Sequence, residues 1–137
     1  MKRALILYGW AFAVMIPLDL LWLGVIARKF YVEQLGALML DRPNVVAAVL
    51  FYALYVVGVV IFAIMPAVRS GNWVDATLYG AAFGLFAYAT YDLTNLATLR
   101  GYSLTLAVVD IAWGVAVTCA TATFGYLLAR HFADLSQ

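Results

Sequence analysis

Three aspartates, Asp19, Asp92 and Asp110, stand inside apolar stretches that contain no Lys or Arg. Insertion scales put an aspartate at the centre of a membrane-spanning helix about 2.5–3.5 kcal/mol uphill, so intramembrane acids are candidate functional residues. Carboxyl groups without basic partners can bind a cation, exchange a proton or join helices by hydrogen bonds. Because burial and neighbouring like charges both disfavour the ionised form, we expect at least one of the three acids to be protonated. The set should titrate as a coupled group.

The three aspartates are predicted to lie at one depth. Asp19 precedes Arg28 by nine residues. Asp92 precedes Arg100 by eight residues, and Asp110 follows Arg100 by ten. At about 1.5 Å of rise per residue, alternating helices place all three acids roughly 12–15 Å below the same charged rim. We therefore expect them to converge in one cavity.

Aromatic and polar residues share the helix faces of these acids. Asp19 and Trp22 are spaced i, i+3, and Asp110 and Trp113 repeat that spacing. Aromatic faces add about 0.5–2 kcal/mol of cation–π stabilisation each. Tyr52 and Tyr55, from the second predicted helix, reach a similar layer. The predicted binding residues are Asp19, Trp22, Tyr88, Tyr91, Asp92, Asn95, Asp110 and Trp113, and the candidate catalytic residues are Asp19, Asp92 and Asp110.

Part of this polar set has a purely structural interpretation. Asn95 and the threonines of the third and fourth helices are typical of hydrogen bonds that hold helices together. Gly80 and Gly84 are spaced so that another helix can approach closely. The aromatic residues near the helix ends are typical of a belt at the membrane interface; these are Tyr8, Trp10, Trp73 and Tyr102.

The composition indicates the elements that must position these residues. Of 137 residues, 67% are hydrophobic and 11% are charged, whereas a soluble domain has about 25% charged residues. Four segments reach the roughly 20 apolar residues that a membrane-spanning helix needs, at about 4–26, 45–65, 76–99 and 104–128. We therefore predict one all-α, polytopic membrane domain over residues 1–137, built as a four-helix bundle. Asp75 is the predicted N-cap of the third helix, and Pro66 is predicted to end the second.

The connections differ in character. RGYS, at residues 100–103, predicts an antiparallel hairpin of the third and fourth helices. The first connection mixes apolar and charged residues, which suits either a short helix in the interface plane or a loop with apolar anchors. Four Lys and Arg residues fall on each side, so the loop charges fix no orientation. Such balance permits dual topology, and a homodimer is possible, although we favour a single topology. The first helix is too long for a signal peptide, and a bacterial inner membrane fits best.

Several function classes are excluded or weakened. The net charge is +1 without a basic cluster, so no nucleic-acid partner is expected. Cys119 and His131 are the single cysteine and histidine, and zinc-type ligand sets are missing. Three aspartates and Asn95 could ligate Mg²⁺, but the D-x-x-D clusters of polyprenyl-diphosphate enzymes are missing. We therefore predict no metal and no cofactor.

Three functions fit this pattern. The first is binding or transport of a protonatable or cationic amphiphilic small molecule. The second is a membrane-embedded enzyme, in which one aspartate donates a proton, another accepts one, and aromatic rings stabilise a cation formed from a lipid or isoprenoid-like substrate. The third is an assembly subunit without its own activity. Whether the protein is an enzyme stays open, and the expected partners are membrane lipids and a small cationic or lipophilic ligand.

The motifs carry a resemblance to a known family. YATYDLTNLAT and VDIAWG, with PLDLLW in the first helix and FYALYVVGVVIFAI in the second, resemble the bacterial predicted-membrane-protein family known as domain of unknown function 2177. The resemblance spans nearly the whole chain. It implies a compact integral membrane protein of about this size and implies no particular activity.

Overall fold

The computed structural model describes residues 1–133, and it is helical throughout most of that range. Four long helices, numbered here with the short one between them, run along the chain: α1 (Lys2–Ile26), α3 (Val45–Ser70), α4 (Trp73–Thr98) and α5 (Leu104–Phe132). Between α1 and α3, the short helix α2 (Arg28–Leu35) is followed by a 3₁₀ turn at Gly36–Leu38. No strand occurs within the described residues. The all-helical prediction is confirmed.

Three of the four long helices, α1, α3 and α5, are long and apolar enough to cross a membrane. The protein is therefore membrane-integrated. The fourth, α4, is equally long but carries two aspartates, four threonines and an asparagine, which lower its mean hydropathy.

Two predicted helix boundaries are wrong. The helix expected to end at Met65 continues through Pro66 to Ser70. A π-helical turn at Val60–Ile64 comes just before Pro66, which therefore lies in the first turn of a new α-helical segment, where the missing N–H costs little. The predicted N-cap of α4, Asp75, lies inside the first turn of that helix instead.

The residue that caps α4 is Asn72. Its side-chain oxygen accepts a hydrogen bond from the backbone N–H of Val74 at 3.0 Å. Asn is among the strongest N-cap residues. Asp75 still helps from within the first turn, because the N-terminus of a helix dipole favours a negative charge.

Helices α4 and α5 pack closely along a seam of small residues. A Cβ atom built at Gly84 would lie 2.3 Å from the backbone oxygen of Gly114, and one at Gly80 would lie 2.7 Å from the Cβ of Ala122. Both approaches are closer than real Cβ atoms allow. The Gly80 and Gly84 pair therefore permits the close helix approach that its spacing predicts.

The closest packing lies in one half of the described structure, where the turn at residues 71–72 and the start of α1 are found. The first half of α1 and the second halves of α3 and α5 supply fully buried side chains there, among them Leu7, Ala11, Met15, Val56, Val59, Ile64, Ala122 and Tyr126. We call this the packed half. The other half, beside the connection 27–44 and the turn 99–103, contains the aspartates and is called the site half.

Candidate functional site

Asp19 is held by two aromatic donors from other helices. The indole Nε1 of Trp113, on α5, donates to its Oδ1 at 2.8 Å. The hydroxyl of Tyr52, on α3, donates to its Oδ2. The side chain is only 3% exposed, so both carboxylate oxygens are satisfied although the group is buried.

Asp110 is reached from the short helix α2. The hydroxyl of Tyr31 donates to its Oδ1, and Trp22 Nε1 donates to that same hydroxyl oxygen at 3.3 Å. Trp22 in turn stacks on Trp113 with ring centroids 4.4 Å apart and planes 7° apart. The environments of Asp19 and Asp110 are thus joined by a stacked tryptophan pair.

Asp92 has the least exposed side chain of the three acids, with no exposed surface. The Tyr102 hydroxyl donates to its Oδ1 at 2.7 Å. Its Oδ2 accepts no hydrogen bond from any group within the described residues. The neighbouring acid is Asp110.

A cavity of about 420 Å³ opens beside Asp19 and Asp110. Two of the rings that line it are partly exposed, Phe51 of α3 at 43% and Tyr91 of α4 at 59%. Its walls are mainly aromatic or apolar; the lining residues are Asp19, Leu23, Ala48, Phe51, Tyr52, Tyr55, Ala87, Tyr88, Tyr91, Asp110 and Trp113.

The expected convergence of the three aspartates in one cavity is wrong for Asp92, which does not line it. Five of the eight predicted binding residues line this cavity: Asp19, Tyr88, Tyr91, Asp110 and Trp113. Trp22 and Asp92 lie behind the cavity wall and contact it through Trp113 and Asp110. Asn95 is half-buried near Tyr102 and does not line the cavity. The assignment of these residues to ligand binding stays a prediction.

Three tyrosines of the hydrogen-bonded network, Tyr31, Tyr52 and Tyr102, are not among the predicted site residues. For Tyr52 the sequence predicts only that it reaches a similar layer. Tyr31 belongs to the first connection, and Tyr102 was assigned to the interfacial belt. Burial raises the pKa of both phenols above their usual range, and hydrogen bonding to a carboxylate adds to that rise. A signal for Tyr31 was present, because Tyr31 and Leu35 form an i, i+4 apolar stripe on a segment otherwise rich in charge.

The threonines divide between helix contacts and local bonds. Thr118 on α5 is hydrogen-bonded to the hydroxyl of Tyr55 on α3 at 2.7 Å, and Thr77 is bonded to Thr123 at 2.9 Å. These two contacts join helices, as the structural interpretation expected. The exposed threonines of α4, by contrast, bond to carbonyl oxygens of their own helix.

Among residues 1–133, no three His, Cys, Asp or Glu side chains lie close enough together to hold one metal ion. The ion pair found in that range is Lys29–Glu33, at 3.7 Å, in α2. The carboxyl groups of the site are therefore surrounded by tyrosine and tryptophan donors and not by basic side chains.

The fold and the site define the class of protein as a helical integral membrane protein with buried acids beside an aromatic cavity. Residues 4–127 match the family model described as "Predicted membrane protein (DUF2177)", and the chain belongs to that family. The match confirms the resemblance seen in the motifs, and the family has no assigned activity. No curated protein and no solved structure matches the chain.

Proposed function

We propose that α4 also crosses the membrane, as the third of four spans, with α2 at the membrane surface. Its 26 residues measure about 39 Å, which exceeds the roughly 30 Å of a bilayer core. The exposed hydroxyls of Thr90, Thr94 and Thr98 donate to backbone oxygens one turn earlier, at 2.5–2.7 Å. Bonded in this way, they cost less in lipid than free hydroxyls do.

We further propose that the protein binds a cationic amphiphile in the cavity of the site half, as a binding or transport protein. The observation that carries the proposal is that two carboxyl groups, Asp19 and Asp110, line a cavity with otherwise aromatic and apolar walls. Within the described residues no Lys or Arg forms an ion pair with either group. A cationic head would supply the missing positive charge.

The cavity suits a ligand with a charged head and an apolar tail. Its volume of about 420 Å³ lies within the range of small-molecule sites. The head would lie between Asp19 and Asp110, where Tyr88 and Trp113 offer aromatic faces for cation–π contact. The tail would leave past Phe51 and Tyr91, between α3 and α4, towards the lipid. A ligand could therefore enter from the bilayer without crossing the packed half.

Titration of the purified protein with dodecyltrimethylammonium tests this proposal, because that probe has a permanent positive charge. Stacked Trp22 and Trp113 should report binding through their fluorescence. A pair of unit charges 4 Å apart attract by about 4 kcal/mol at an effective dielectric constant of 20. Asp19→Asn and Asp110→Asn should therefore each weaken binding at least about tenfold.

The matched control is Asp75→Asn, which makes the same change at an acid outside the cavity, near the turn 71–72. Its affinity should equal that of the unmodified protein. A neutral probe of the same chain length, dodecyl maltoside, should bind without discriminating among the variants. Equal affinity of all three aspartate variants for the cationic probe would overturn the proposal.

A membrane enzyme is the second candidate, favoured by two of the three Tyr–Asp pairs, those of the acids that line the cavity. Tyr52 donates to Asp19 and Tyr31 to Asp110, so each acid has a proton donor beside a cavity that could hold part of a lipid. Mass spectrometry of lipids that co-purify with the protein tests this alternative. A product that accumulates with the unmodified protein, and not with Asp110→Asn, would favour the enzyme. Unchanged lipids together with binding of the cationic probe would favour the binding protein.

A further inference from the structure

The proposed ligand site does not explain Asp92. This carboxyl has no exposed surface and does not line the cavity. Its Oδ1 accepts a hydrogen bond from Tyr102, while its Oδ2 has no donor within the described residues. Leaving one oxygen of a buried carboxylate unpaired is costly. The carboxyl group that Asp92 does meet is that of Asp110.

We propose that Asp92 and Asp110 form a carboxyl–carboxylate pair that holds one proton, and that a cation bound at Asp110 displaces this proton through Tyr102. A proton between the two carboxyl groups gives the unpaired Oδ2 of Asp92 a hydrogen-bond role. It also removes one of two negative charges that would otherwise repel each other in a buried site. Of the two members, only Asp110 lines the cavity. The cation therefore contacts Asp110, and the proton leaves from Asp92, on the side away from the cavity.

The groups that face the pair support a single shared proton. Tyr31 of α2 donates to Asp110, and Tyr102 of the turn 99–103 donates to Asp92. Asp19 of α1 and Tyr88 of α4 are the further titratable groups near Asp110. None of these groups is cationic, and no Lys or Arg among residues 1–133 is ion-paired with the pair. Within this set, a proton is the charge that can offset the second carboxylate.

The exchange balances in charge and protons. Without a ligand, the pair carries one negative charge and one proton. When a cation binds at Asp110, the Tyr102 hydroxyl turns from Asp92 towards water at the turn, and the protonated Asp92 carboxyl donates to the phenol oxygen. That oxygen takes up the proton of Asp92 as its own hydroxyl proton passes to water. Tyr102 is only half-buried and therefore connects the fully buried carboxyl with the surface of the protein. The pair then carries two negative charges beside one bound cation, so the total charge is conserved.

The protonated pair can be tested without any ligand, by infrared spectroscopy of the purified protein at neutral pH. The unmodified protein should show the C=O stretch of a protonated carboxyl. Asp92→Asn and Asp110→Asn should each abolish this band, because the remaining acid no longer has a neighbouring carboxylate whose negative charge disfavours its ionisation. Asp92→Glu, which preserves the acid, and Asp19→Asn, outside the pair, should both retain it. Absence of the band in the unmodified protein, or its persistence in both pair variants, would overturn the proposal.

The coupling rests on the proposed cation binding and is tested by the pH dependence of dodecyltrimethylammonium affinity. Since proton and cation compete, affinity should rise roughly tenfold per pH unit while the pair holds its proton, and level off at higher pH. Asp92→Asn should still bind the probe but lose this slope. Asp19→Asn should bind more weakly and keep it.

The outcomes separate the two proposals. If the probe does not bind at any pH, the proposed function fails, and the infrared band alone decides the protonated pair. If the probe binds with an affinity that does not change with pH, cation binding stands and the proton exchange is overturned. Proton release measured with a pH indicator in weak buffer gives an independent count, which should be about one proton per bound cation.

Discussion

The two halves of the bundle are built on opposite principles. In the packed half, side chains such as Met15, Val59 and Ile64 are fully buried against one another. In the site half, the same helices line a cavity of about 420 Å³, and hydrogen bonds and stacked rings join them beside a small apolar cluster around Ala27 and Leu106. One half is therefore held by close packing and the other by a network of polar and aromatic groups.

This difference indicates that the packed half stabilises the fold and that the site half contains the cavity. Lipid tails are as apolar as leucine, so helices in a membrane associate through close packing and hydrogen bonds rather than through the hydrophobic effect. The glycine seam of α4 and α5 extends from the packed half, at Gly80, to the edge of the site half, at Gly114 and Tyr88. A well-packed half lets the other half keep an open cavity with buried acids, which cost stability where they stand.

The largest effect should come from filling the glycine seam. Gly84→Ala places a Cβ atom 2.3 Å from the backbone oxygen of Gly114, so the two helices must move apart. We expect the free energy of unfolding to fall by about 3 kcal/mol, measured by circular dichroism in maltoside detergent. The control is Gly9→Ala, at a helical position with no atom within 4 Å of the new Cβ. Equal stability of the two variants would refute the idea that packing at the seam holds the bundle.

A smaller loss should follow when one donor is removed from the site half. Trp113→Phe keeps an aromatic ring against Trp22 but deletes the N–H that Asp19 accepts at 2.8 Å. Hydrogen bonds to charged groups contribute about 1.5–3 kcal/mol, so we expect a destabilisation of about 2 kcal/mol. The exposed Trp73 offers the matched control Trp73→Phe, which should be nearly neutral. A Trp113→Phe protein as stable as this control would show that the indole N–H does not hold Asp19.

The third effect is a loss of stability in alkaline solution, and it involves Tyr31. Burial and the hydrogen bond to Asp110 raise its pKa in the folded protein above the ordinary value of 10.0. Its contribution is thus complete below pH 10.0 and is lost as the pH rises further, because the unfolded chain ionises first. Each pH unit above 10 should remove at most about 1.4 kcal/mol.

Unfolding at a series of pH values between neutral and strongly alkaline checks this expectation. Tyr31→Phe should start from lower stability at neutral pH and lose less of it on the alkaline side. Tyr79→Phe, at an exposed tyrosine of α4, provides the comparison and should follow the unmodified protein. If Tyr31→Phe loses as much stability in alkaline solution as the unmodified protein does, Tyr31 is not responsible for that loss.

Helix faces could be predicted from the sequence because they depend on fixed helix geometry. A rise of 1.5 Å and 3.6 residues per turn suffice to place Asp19 and Asp110 beside one cavity, whereas Asp92, predicted for the same cavity, does not line it. The same regularity predicted the close approach at Gly80 and Gly84. Helical class and membrane integration likewise depend only on composition and run length.

The partners of the acids could not be predicted in the same way. Tyr31 and Asp110 are 79 positions apart, and the bond depends on how α2 folds back over the bundle. The spacing of residues along the sequence does not indicate how α2 folds back. Tyr102 looked like an interfacial aromatic because its type and position fit the belt, and only the path of the turn directs its hydroxyl to Asp92. Pro66 was misjudged because a proline ends a helix only when no preceding turn accommodates it.

The smallest effect should come from removing the N-cap residue of α4 or of α5. Asn72→Ala removes the N-cap of α4 in the packed half, and Ser103→Ala removes that of α5 in the site half. Each should lower stability by about 1 kcal/mol. Ser103 differs because its hydroxyl also donates to Gln34 of α2, the helix that carries Tyr31.

Ser103→Ala and Asn72→Ala should therefore differ in ligand affinity although they lower stability by similar amounts. Ser103→Ala loosens α2 and with it the Tyr31–Asp110 bond, so dodecyltrimethylammonium should bind several-fold more weakly, whereas Asn72→Ala should bind as the unmodified protein does. Gln34→Ala keeps the cap and deletes only the link, and it should reproduce the affinity change without the full loss of stability. If Ser103→Ala and Asn72→Ala bind the probe equally, α2 does not position the site, and the site half depends on the four long helices alone.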